Sequence, residues 1–114
     1  MSFLALVIYT ADAPLYATYA GEPGALRSNR AEVYVNLSEE LRLDPDLSSG
    51  VRLERAAAML DSALVQDGAY LPAMLSYAAL QRDRGRPERA EEWLIRAEAI
   101  DPAYAPTLAA RAAQ

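Results

Sequence analysis

The sequence predicts an all-α chain of antiparallel helix-turn-helix units, and three observations carry that prediction. The first is an internal echo. Residues 51–80 shifted by 34 align with residues 85–114 and give twelve identities in thirty positions. Among them are Ala56 with Ala90, Leu60 with Leu94, Ala63 with Ala97, Asp67 with Asp101, Tyr70 with Tyr104 and Pro72 with Pro106. The second is punctuation. Asp44-Pro45, Asp67-Gly68, Gly85-Arg86-Pro87 and Asp101-Pro102 break the chain at helix-length intervals. The third is the spacing of apolar and alanine positions, three and four apart, as on one helix face. A fixed period in this range marks stacked units that each bury an apolar face against the next.

Each element has its own warrant. Residues 1–24 form an apolar N-terminal segment, with an uninterrupted run over 3–9 and a second over 13–20, closed by the breaker Gly21-Glu22-Pro23-Gly24. Residues 25–114 form the helical domain. Its first helix is expected from Asn29, which with Glu32 has capping-box spacing, to about Leu43, with Val33, Tyr34, Leu37 and Leu41 inward. Asp44-Pro45 ends it, because a residue before proline is pushed out of the α region. Ser48-Ser49-Gly50 offers a cap for a second helix to about Gln66, with Leu53, Ala56, Ala57, Leu60, Ala63 and Leu64 inward. Pro72 suits the first turn of a third helix, 71–84, that presents Met74, Leu75, Tyr77, Ala78 and Leu80. Gly85 stops it, a fourth runs over 87–100, and Pro106 begins a fifth.

Residues 71–102 resemble a tetratricopeptide repeat. Ala78 stands where the family has a small residue midway along the first helix, and Gly85 at its inter-helix turn. Ala90, Leu94 and Ala97 match the small–large–small seam of its second helix, and Asp101-Pro102 its closing step. Met74 and Tyr77 replace the usual tryptophan and leucine. The resemblance covers residues 51–114, one complete unit with a half on each side, and implies a fragment of an α-solenoid. Upstream, Asp44-Pro45 and Ser48-Ser49-Gly50 break the pattern. The exposed face there needs a cover: the helix before Asp44, the N-terminal segment, self-association or a partner.

Composition narrows the function. The net charge is −5, all 11 basic residues are arginine, and histidine and cysteine are absent. An acidic chain suits nucleic acid poorly, since phosphate neutralisation needs a basic surface. Without cysteine there are no disulfides, thiolate metal sites or thiol nucleophiles, and without histidine the commonest general base and metal ligand is missing. The expectation is a non-enzymatic protein with no cofactor and no metal. Its alanine-rich, lysine-free composition points to a GC-rich bacterial genome.

The N-terminal segment leaves three readings open: a piece packed on this domain or a partner, a membrane anchor, or a processed signal. A span needs about 20 mainly apolar residues, and Asp12 near its middle costs about 2.5–3.5 kcal/mol. A signal wants a basic start, and none precedes Arg27, although Ala11-Asp12-Ala13 has the small-x-small form of a cleavage site.

In the resembled family, ligand segments lie along the first helices of the units. Here that face carries Leu75, Ala79 and Arg82, with Leu75 and Ala79 in the places of the family's carboxylate clamp, so the clamp is absent. What remains is apolar with a polar end, suited to a partner's helix or extended apolar segment. Trp93 is the largest candidate anchor, and Tyr16 and Tyr19 add aromatic area in the N-terminal segment. Arg82, Arg84, Arg86 and Arg89 cluster about Gly85, interleaved with acidic residues as on a solvated turn. The sequence thus reads as an interaction or scaffold module of the bacterial cytoplasm or a membrane-associated assembly. Its alternative is an accessory subunit of a membrane complex held by residues 3–20.

Overall fold

The computed structural model describes residues 23–113. Over them the chain is all-helical: α1 (Pro23–Arg42), α2 (Ser49–Gln66), α3 (Leu71–Asp83), α4 (Pro87–Ile100) and α5 (Ala105–Ala112). Helix α1 pairs with α2 and α3 with α4; α3 also touches α1, α2 and α5, and α5 leans on α4. The expected anchor or signal, residues 3–20 with Tyr16 and Tyr19, lies outside the described residues. Among those described, no helix is long and apolar enough to cross a membrane.

Local chemistry sets the ends. The Ser48 hydroxyl caps α2, accepting from the Val51 N–H at 3.4 Å. Proline sits in the first turn of α3, α4 and α5, where a missing N–H leaves no helix bond unmade. Gly85, at φ 75°, closes α3 with a Schellman pair: the Arg86 N–H donates to the Gln81 carbonyl at 2.8 Å and the Gly85 N–H to that of Arg82 at 2.9 Å.

The 34-residue echo has a physical counterpart. Asp67 and Asp101 end α2 and α4 with almost the same backbone, φ −146° ψ 100° and φ −147° ψ 97°. Each carboxylate accepts the N–H two residues on, Ala69 at 3.1 Å and Ala103 at 3.0 Å. Tyr70 and Tyr104 then stand at the N-caps of α3 and α5. Inside, Ala56, Leu60 and Ala63 of α2 are fully buried, as are Ala90, Leu94 and Ala97 of α4. Alanine at these places lets helix backbones approach, and the leucine between fills the facing groove.

Two expectations about α1 need correction. It starts at Pro23, six residues before Asn29, because proline and glycine are tolerated in a first turn and Asn29 lies mid-helix. Its inner face is Ala31, Val35 and Ser38, whereas Val33 is 56% and Leu37 41% exposed. The small Ala31 and Ser38 allow a close approach to α2 and α3. Tyr34 and Leu41 are displaced to the flank, half-buried against the same core. The period fails upstream for a related reason. A 34-residue step back from Asp83 would end a helix at Ser49, but α1 ends at Arg42 and a six-residue connection, 43–48, follows. The upstream face of α2 is therefore covered by α1 itself.

Leu60→Ala should lower stability by about 3 kcal/mol, since the site is fully buried in the cluster that α1, α2 and α3 share. Gly85→Ala should cost about 1 kcal/mol through its positive φ alone, with no steric clash. Chemical denaturation of the two variants measures both.

Candidate functional site

Helix α3 separates the expected partner-binding residues onto two flanks. Leu75, Ala79 and Arg82 follow one another at three- and four-residue steps on one side. Leu75 is half-buried against the Ala78–Ala90–Leu94 cluster, with Ala110 of α5 beside it. Ala79 is half-buried and Arg82 exposed at the helix end. Trp93 packs on the same cluster from the other flank, where it meets Tyr77. The four residues thus frame one helix pair but do not form one continuous patch.

The Trp93 flank is the more structured. The Tyr77 and Trp93 rings stack with centroids 4.5 Å apart and planes 5° from parallel, and the Arg96 guanidinium lies 4.4 Å from the Trp93 ring. One turn along α4 is three or four residues, so Arg89, Glu92, Trp93 and Arg96 share a face. Together with Tyr77 and Gln81 they line an open cleft of about 240 Å³. The phenol of Tyr77 donates to Asp61 Oδ1 of α2, with the Ala57 carbonyl at 3.3 Å as a second acceptor. Burial, then the bond to Asp61, pushes the Tyr77 phenol well above its ordinary pKa, so it stays a donor. Gln81 is only 6% exposed, and its Oε1 has no hydrogen-bond partner.

The cations divide into paired and unpaired. Arg42 bridges Glu39 and Asp83 at 2.8 Å each, tying the end of α1 to the end of α3. Arg111 of α5 grips Glu98 with two bonds, 2.6 and 2.9 Å, and reaches Glu91 at 2.6 Å. Hydrogen bonding by Arg111 holds the Glu98 carboxyl below its usual range. Arg89 and Arg96, by contrast, pair with no carboxylate among the described residues.

Tyr77 as a bridge, and Gln81, Asp61 and Arg96 at all, were not singled out by sequence reasoning. The echo does break at Asp61, Tyr77, Trp93 and Arg96, whose 34-residue partners are Ile95, Arg111, Met59 and Ser62, but it breaks at other aligned positions as well and so does not single them out. No group of three or more acidic side chains among the described residues could hold a metal ion. No family model, curated protein or solved structure matches this chain.

Tyr77→Phe keeps the stack but removes the bond to Asp61, and should cost about 1 kcal/mol in denaturant unfolding. The Arg111–Glu98 pair gives a pH signature. A depressed carboxyl pKa contributes stability above the unfolded value of 4.5 and loses it as pH falls through the folded value. The melting temperature of wild type should therefore exceed that of Arg111→Gln at neutral pH, and the gap should narrow as the pH is taken below 4.5.

Proposed function

We propose that this chain is a non-enzymatic protein-interaction module, built as a short array of the tetratricopeptide-repeat type. The observation that carries the reading is that two stretches 34 residues apart share one turn geometry and one buried Ala–Leu–Ala seam. An array built this way is a scaffold of rigid helix faces, and its function resides in whichever faces remain open. On α3 the Leu75–Ala79–Arg82 flank offers half-covered apolar surface ending in an exposed cation. On α5 Leu108 is 51% exposed, although its counterpart Met74 on α3 is 4% exposed. Both suit an apolar helix or extended segment of a partner, held by packing and oriented by the charge at one end. The partner is a protein, as a subunit of a larger assembly or as a further copy of this chain.

Ala79→Glu tests the docking face without opening a cavity. Affinity capture from native lysate should recover wild-type partners at least about tenfold better than the variant, the cost of one buried unpaired charge. Circular dichroism should show both proteins equally helical. Undiminished recovery by the folded variant would remove this face from the reading.

A further inference from the structure

We infer that the cleft between α3 and α4 is a second binding site, one that takes a carboxylate adjoining a peptide N–H. It lies on the flank opposite Leu75 and Ala79 and does not depend on docking there. Three observations converge. Gln81 lines the cleft, is more than nine-tenths buried, and leaves its Oε1 without a partner. A buried carbonyl of this kind costs stability unless a donor meets it; because Oε1 is itself covered, a ligand's peptide N–H meets it once the Gln81 side chain turns towards the cleft. Arg89 and Arg96 stand at the rim without an ion-pair partner among the described residues, so neither must break a bond to accept an anion. Arg96 also lies over the Trp93 ring. A guanidinium seated over an aromatic face is held by the ring without engaging a carboxylate, and has less rotamer freedom to lose on binding one.

Charge and size select the ligand. Two arginines and Glu92 leave the rim at one net positive charge, which a single carboxylate neutralises and a phosphate dianion would leave with an excess negative charge. A cleft of about 240 Å³ admits a side chain with its adjoining peptide group, not a whole helix. The Tyr77–Trp93 stack supplies a rigid wall, anchored through Tyr77 to Asp61 on α2. The carboxylate can come from an acidic side chain or from a chain terminus; both present the same anion beside an N–H.

Trp93 is the chain's single tryptophan, so its fluorescence reports on this cleft alone. The full chain is titrated with acetyl-Ala-Asp-Ala-amide, with acetyl-Ala-Ala-Ala bearing a free C-terminus, and with neutral acetyl-Ala-Asn-Ala-amide. A saturable change is expected below about 20 mM for at least one acidic peptide, with the neutral one at least about tenfold weaker. Whichever acidic peptide binds tighter identifies the source of the carboxylate. Arg89→Gln and Arg96→Gln should each weaken binding about fivefold or more, and added salt should do the same. Gln81→Leu separates binding from folding: it should melt at or above the wild-type temperature, because an unpartnered carbonyl is gone, while losing affinity. Equal binding of the neutral peptide, no saturation by either acidic one, or undiminished affinity in the folded Arg89→Gln and Arg96→Gln variants would overturn the proposal. Recovery of protein partners through the Leu75–Ala79 face is read separately, so failure of one proposal leaves the other standing.

Discussion

Helix α3 spends thirteen residues in contact with all four other helices, and six of them are buried. A helix so placed cannot be amphipathic in the ordinary way, because it has no broad face to give to solvent. Its sequence answers with small residues where neighbours come closest and larger ones between: Ala73 and Ala78 are fully buried beside Met74, Tyr77 and Leu80. The remaining polar groups then need specific answers, since in a crowded low-dielectric setting an unmet donor or acceptor is costly. Tyr77 is met by Asp61 across the gap to α2. Gln81 has its carbonyl unmet, as have the buried hydroxyls of Ser38 and Thr107, and of these three Gln81 is the one that lines the cleft.

The two hairpins are joined by different chemistry on the two sides of α3. Towards α1 and α2 the contact is broad and apolar, with Ala31, Val35, Ala56, Leu60 and Ala63 in one cluster that includes Tyr77 and Leu80. Towards α4 and α5 it narrows to Ala78, Ala90 and Leu94, flanked by Leu75, Trp93 and Ala110. Helix α5 adds ionic contact through Arg111 rather than further buried leucine. Apolar burial is thus greatest around α2 and α3 and least at α5, where local opening costs least.

How much of this was readable in advance depends on what each residue has to do. Helices α2 to α5 follow from capping and proline chemistry that acts within a few residues, so Ser48, Pro72, Gly85 and Pro87 mark their ends directly. Helix α1 resisted for the opposite reason. Pro23 and Gly24 signal a break in isolation yet are harmless in a first turn, and the phase of its inner face is set by α2 and α3. An amphipathic count favours the leucines, whereas close packing selected Ala31 and Ser38. The cleft was hidden more deeply still. Repetition exposes what two units share, which is turn and seam. Asp61, Tyr77, Trp93 and Arg96 are what they do not share.

The pairing of α1 with α2 also poses a question of axial alignment. A twenty-residue helix joined by a six-residue connection has chain enough to slide by a turn, and the small Ala31, Ser38, Ala56 and Ala63 mark its register less sharply than larger side chains would. Two cross-links sit near its opposite ends. Near the start, the Ser28 hydroxyl donates to Asp67 at 3.0 Å; at the finish, Arg42 meets Asp83 at 2.8 Å. Asp67 and Asp83 are the residue just after α2 and the last residue of α3, so both pins engage the ends of elements rather than their middles. A one-turn slip of about 5.4 Å would break both bonds at once. The molecule thus has a vernier: a greased contact made unambiguous by two polar teeth.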